Sequence, residues 1–242
     1  MTETFEKCWI CGDIATTGEH KTKRSDLRDV FGAPTQTAPL FYHDGIRKNR
    51  PVGSLNAKVL KSSARLCANC NNVRTQPYDF AWAKLSKALR TRRPGLAAGM
   101  SIRANTVYPY DTARCRRHVH LYFVKLFGCH IEAMNMTLDI KGFSHAILTD
   151  TAHPNVYLKF GVGKEGQVGS SDVWLSVPAA AGSSAFATWY YWVDKLAVNV
   201  MFGQDGEKRQ GLLGAWHPRS GTNKLVIGDF DFGDAAAAHS AQ

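Results

Sequence analysis

Apolar residues change their spacing partway along the chain. In the first half the rhythm is helical. Ser25 reads as the N-cap of a short helix running through Phe31 and closed by Gly32 and Pro34. Pro77 fits the first turn of a longer helix. Its apolar face is Leu85, Ala88 and Leu89, with Ala81 or Trp82 one turn earlier, and it runs into basic residues before Pro94-Gly95. Residues 113–127 predict another helix, with Val119, Tyr122, Phe123 and Leu126 at helical spacing. Beyond it the pattern becomes one of short strands, at 137–140, 156–162, 173–177, 189–192, 196–202, 212–216 and 225–228, separated by Gly, Pro, Asn and Asp. Two strands are expected earlier, at 40–43 and 58–66, around a turn-rich basic stretch.

This order predicts an α+β fold: an N-terminal module over 1–93, then a helix and a mostly antiparallel β domain over 100–234. Pro-Gly-Leu-Ala-Ala-Gly at 94–99 is the expected boundary, and the Ala-rich tail 235–242 is expected to be disordered. No internal repeat is visible. No uninterrupted apolar stretch is long enough to span a bilayer. Residues 1–7 are charged and lack an apolar core, so a secretory signal is not expected and the cytoplasm is the default location.

Charge adds direction. The net charge is +10, and residues 1–100 hold 17 Lys and Arg against 8 Asp and Glu. The remainder is nearly neutral, so the excess positive charge belongs to the first two-fifths of the chain. A basic region of this kind points to a polyanion, nucleic acid above all, or to a merely solubilising surface. Self-association is compatible with the sequence without being legible in it.

Four of the six cysteines form two Cys-x2-Cys pairs, Cys8/Cys11 and Cys67/Cys70. In a chain without an expected secretion signal this spacing reads as a metal site rather than as disulfides. Four thiolates leave a zinc ion no open position, so such a site is structural and cannot activate water. Cys115 and Cys129 stand alone in apolar surroundings and read as core thiols.

Between and behind the pairs lie Gly18-Glu19-His20 and, directly after Cys70, Asn71-Asn72. Over about residues 8–90, this combination resembles the HNH (ββα-metal) endonuclease superfamily, in particular its zinc-containing four-cysteine members such as the phage junction-resolving endonucleases. The resemblance implies His20 as general base and a divalent cation, Mg2+ or Mn2+, held by Glu19 and Asn71, in an enzyme that hydrolyses DNA phosphodiester bonds to leave 5′-phosphate ends. The residue types are compatible with that chemistry. Carboxylate and amide oxygens are hard ligands, and an imidazole with an ordinary pKa of about 6.5 can accept a proton from water. Two departures stand out. The acidic residue is Glu rather than the commoner Asp, and the middle Asn of the family's motif has no clear counterpart: counting back from Cys67 lands on Ser62, and Asn56 is further away. Asp79 reads as a further ligand, a brace, or a charge favourable to the start of its helix.

Phosphate contacts are expected from Lys21, Lys23 and Arg24 beside His20, from Arg74, and from Arg90, Arg92 and Arg93. The run Trp189-Tyr190-Tyr191-Trp192 reads either as sheet core on alternate positions or as a base-stacking surface. His118 and His120, two apart on a helix, do not share a face. Two rival readings are a non-catalytic zinc-knuckle nucleic-acid-binding protein and a zinc-braced assembly protein. The first has no need of the Glu19, His20 and Asn71 constellation.

Overall fold

The computed structural model describes residues 6–44, 46–176 and 184–228, and over these the chain is mixed α+β, with five α-helices and a mostly antiparallel sheet. The chain opens on the Cys8–Cys11 turn. Gly12 closes it at φ +82° and donates its N–H to the Cys8 carbonyl at 2.9 Å, a left-handed conformation that a side chain would strain. Helix α1 (Arg24–Phe31) begins after Lys23, so Ser25 lies inside it rather than capping it, and it ends at Gly32, φ 73°. Strands β1 (Leu40–Tyr42) and β2 (Arg50–Val52) form a hairpin. The second had no apolar signature because Arg50 and Pro51 are exposed.

Residues 58–66 do not form the single strand expected. A 3-10 turn occupies Lys58–Leu60, and the extended remainder pairs antiparallel with residues 17–20 through two isolated bridges, His20↔Lys61 and Thr17↔Leu66. A wide π-helical turn, Asn69–Arg74, then leads into α2 (Gln76–Arg90), with Pro77 in its first turn. Two extended segments followed by a helix therefore frame the second cysteine pair.

After residues 94–99 come β3 (Ser101–Arg103), the single turn α3 (Ala104–Val107), α4 (Thr112–Ala133), α5 (Ile140–Leu148), β4 (Val156–Val162), β5 (Val168–Ser170), β6 (Trp174–Leu175), β7 (Phe186–Val193), β8 (Leu196–Gly203) and β9 (Lys224–Gly228). The sheet runs β3-β9-β4-β8-β7-β5, with β6 also on β7; every pairing is antiparallel except β4 with β9. Two strand expectations are overturned. Residues 137–140 lead into helix α5, because the Asp139 carboxylate accepts from Lys141 N–H at 3.0 Å and caps the helix. Residues 212–216 are turn-like, since Gly214 at φ 72° breaks the extension and only Trp216 bridges to Leu158. The expected strand at 173–177 is limited to β6; Val177 and the tail 235–242 lie outside the described residues.

Helix α4 is the spine of the molecule. Every residue from His118 to Cys129 is buried, the mark of a helix enclosed on all sides. One side meets the first hundred residues: Lys125 pairs with Glu19, Glu132 with Arg65, and Gly128 lies under the Trp9 ring of the first cysteine turn. A Cβ on Gly128 would stand 2.2 Å from that ring, so only glycine permits this approach. The opposite side meets the sheet, where His120 donates to the Val156 carbonyl at 2.9 Å. One apolar cluster joins Leu66, Trp82 and Leu85 to Phe123, Trp189 and Val200, so residues 94–99 connect parts of a shared core.

Candidate functional site

The four sulfurs of Cys8, Cys11, Cys67 and Cys70 lie within 4.8 Å of one another. Cys11 and Cys67 Sγ are 3.6 Å apart. Four sulfurs placed tetrahedrally about 2.3 Å from one zinc ion would be separated by about 3.8 Å. The Cys70 N–H also points at Cys67 Sγ, 3.3 Å away, as second-sphere donors to thiolates do. The cluster can hold a metal ion such as zinc.

The bridged segments carry the next group of residues. Backbone bonds Ser62 N to Glu19 O (2.7 Å) and Thr17 N to Leu66 O (2.9 Å) fix residues 17–20 against the strand that enters the second cysteine pair. Ser62 thus braces this pairing with its backbone, not its side chain. The His20 ring is held from elsewhere: Nε2 lies 3.0 Å from the Leu55 carbonyl. A carbonyl can only accept, so Nε2 carries the proton and neutral His20 keeps its Nδ1 lone pair available. The π-helical turn after Cys70 sets Asn71 across from this segment, where Nδ2 donates to Thr17 Oγ1 (3.3 Å) and Gly18 O (3.4 Å). Its oxygen remains as the acceptor.

Glu19, His20, Asn71 and Asp79 all line one open cavity of about 660 Å³. Its walls also carry Lys23, Arg24, Arg28, Lys61, Tyr122 and Lys125. Five cations against two carboxylates make it electropositive, suited to an anion. Glu19 is doubly engaged: Oε1 accepts the His20 N–H at 2.9 Å, and Oε2 pairs with Lys125. Burial works against the Lys125 ammonium, but the Glu19 and Asp79 carboxylates outweigh it and hold its pKa above the ordinary lysine value. Asp79 pairs with Lys23 at 3.0 Å.

Some of the expected phosphate contacts converge here and others do not. Lys23 and Arg24 are in the cavity wall, while Lys21 turns to Tyr42, donating to its hydroxyl at 3.2 Å. Arg74 reaches the Leu148 carbonyl at 3.4 Å, and Arg90 pairs with Asp29 at 2.9 Å; neither lines the cavity. Arg92 and Arg93 are exposed at the end of α2. Arg28, Lys61, Tyr122 and Lys125 were not legible as site residues. The only trace of Lys125 was one cation in an otherwise apolar helical run.

The sheet reaches the cavity through an internal chain of hydroxyls. Tyr122 O–H donates to the Tyr191 oxygen (3.3 Å), and Tyr191 donates to Asp26 Oδ2 (2.7 Å), which also accepts from Trp82 Nε1 (2.8 Å). Tyr191 in turn accepts the Lys23 backbone N–H at 3.1 Å, tying the residue beside the cavity to strand β7. Burial pushes the Asp26 carboxyl up from its usual range against the donations of Trp82 and Tyr191. Trp189 and Tyr191 are fully buried, so alternate members of the aromatic run are core. Cys129 is likewise a core thiol, its pKa pushed up to about 12 by burial.

A second polar cluster lies on the far side of α4. His120, His153 and His217 are buried together, the rings of His120 and His217 being 5.0 Å apart. His217 donates to His153 O (2.9 Å) and accepts from Arg219 N–H (3.1 Å), while His153 accepts from Asn155 N–H (3.1 Å). Burial lowers all three pKa values, that of His153 to about 4. Among the described residues no helix is long and apolar enough to cross a membrane. Comparison with protein-family profiles, curated proteins and solved structures yields no match to this chain.

Proposed function

We propose that the chain is a metal-dependent endonuclease of the HNH (ββα-metal) kind that hydrolyses phosphodiester bonds in DNA, with its four cysteines holding a structural zinc ion. The observation that carries this reading is the convergence of Glu19, His20 and Asn71 in one electropositive cavity beside the cysteine cluster. The order of two antiparallel segments followed by a helix, with the histidine on the first segment, is in keeping with a ββα arrangement.

The donor set fits a hard divalent cation. Glu19 offers a carboxylate, Asn71 an amide oxygen left over from its own donations, and Asp79 a second carboxylate on the same wall. Such an ion, Mg2+ or Mn2+, would polarise the phosphate and stabilise the leaving oxygen. His20 does the proton chemistry: with Nε2–H committed to Leu55, its Nδ1 accepts the proton of the attacking water. Lys23, Arg24, Arg28 and Lys61 hold the backbone phosphates and position the strand without reading its sequence.

The test is nicking of supercoiled plasmid by purified protein with Mg2+ or Mn2+. Cleavage is expected to stop with EDTA and to fall at least about a hundredfold in His20→Ala. Tight DNA binding with no cleavage in either protein would instead support a zinc-knuckle binding protein.

A further inference from the structure

We infer that Lys125 is the resident cation of the cavity, holding the Glu19 carboxylate when no divalent ion is present and competing with that ion for it. The inference rests on the nuclease reading for the identity of the ion, and on the geometry of α4 for the rest.

Lys125 is 2% exposed, in the middle of the most enclosed helix of the molecule. A buried ammonium needs a partner, because an unpaired charge cut off from water is strongly disfavoured. Its ion pair is with Glu19 Oε2, and both residues line the cavity. The other Glu19 oxygen is committed to the His20 N–H. Both Glu19 oxygens are thus engaged, and Oε2 is shielded from solvent while Lys125 sits against it, so a metal ion can claim it only by displacing the ammonium.

The surroundings give this pairing a direction. Asp79, the other carboxylate of the wall, already has Lys23 as its partner at 3.0 Å. An ammonium displaced from Glu19 finds no second free carboxylate among the described lining residues and faces a space bordered by Lys23, Arg24 and Lys61. Asp79, already shared with Lys23, is the remaining carboxylate within its influence, and an incoming anion would complete its neutralisation. The flexible four-carbon stem of lysine allows that reorientation. Cation binding and phosphate binding are thus coupled through one side chain: the metal ion frees the ammonium, and the phosphate receives it.

The experiment measures Mn2+ binding by electron paramagnetic resonance, using zinc-replete full-length protein without nucleic acid. Lys125→Met, which keeps the side-chain bulk and removes the charge, is expected to bind Mn2+ about tenfold tighter than wild type or better, since a neighbouring cation has been removed. Lys125→Arg keeps the charge and is expected to stay near wild-type affinity, while Glu19→Gln loses binding. Equal Mn2+ affinity in Lys125→Met and wild type, with binding lost in Glu19→Gln, would overturn the inference and leave the nuclease reading standing. Absence of Mn2+ binding in every protein would overturn both. A measurement on the unaltered chain avoids dependence on the folding of a variant. In 15N-lysine-labelled wild type, the slowly exchanging Lys125 ammonium resonance is expected to shift on adding Mg2+ and return with EDTA. A resonance that stays in place while Mg2+ binds would count against any competition.

Discussion

Helix α4 separates two polar clusters that differ in their exposure. On the sheet side, His120, His153 and His217 are buried and each places at least one ring nitrogen on a backbone partner. On the other side, Glu19, His20, Asn71 and Lys125 border an open cavity with excess positive charge. Both clusters contain histidine, and only the second lines this cavity. Polar groups satisfied by fixed backbone partners contribute shape; those with acceptor or donor capacity facing solvent can bind and react.

Substitutions can break this contrast from either side. The largest effect is expected at His20. Its replacement by alanine should reduce plasmid cleavage at least about a hundredfold while leaving the melting temperature within a few degrees. Comparable loss of activity on replacing His120 would erase the distinction. Next comes acid. Folded His153 has a pKa of about 4 against about 6.5 in an unfolded chain. Between those values the unfolded state binds more protons, so stability falls as pH drops from about 6.5 and levels off below about 4. His153 alone accounts for roughly 3 kcal/mol by this linkage, and His120 and His217 shift in the same direction. Thermal melts at pH 7.5 and pH 5 should differ by several degrees, and an unchanged melting temperature would mean the cluster is not buried as described.

A smaller loss is expected at the joint between the first cysteine turn and α4. Gly128→Ala drives a methyl group into the Trp9 ring and should cost about 2 kcal/mol of stability, read from denaturant midpoints. Smallest are Arg24→Ala and Arg28→Ala. Each should weaken DNA binding uniformly across sequences and lower the salt dependence of the binding constant by about one counterion, measured by fluorescence anisotropy at several salt concentrations.

What the sequence made legible depended on distance along the chain. The cysteine pairs and Gly18-Glu19-His20 are local patterns, and Asn71 follows Cys70 directly, so their neighbourhood could be read from spacing. Helix α2, the core of α4 and the long strands β4, β7 and β8 carry enough periodic positions to declare themselves. Helix α5 did not, because the few apolar residues around 137–140 suit either state and the deciding signal was the cap at Asp139. Strands β2, β3 and β5 are three residues each, too short for any period. Lys125 was invisible for another reason: its partner is Glu19, distant in sequence, and nothing local marks a lysine in an apolar helix as anything but a misfit. Arg90 misled in the opposite way. It looked like a surface contact for phosphate, yet its side chain is 8% exposed and paired with Asp29.

The seat of Trp9 on Gly128 has a practical corollary for anyone dissecting this molecule. A fragment stopped after residue 93 would lose the helix that covers Trp9, Tyr78 and Trp82, and with it the counter-ion of Glu19. Such a truncated piece would display a sticky aromatic face to water and an orphaned acid, so aggregation or misfolding is its expected fate. Deletion studies should preserve the polypeptide through Ala133 at the least.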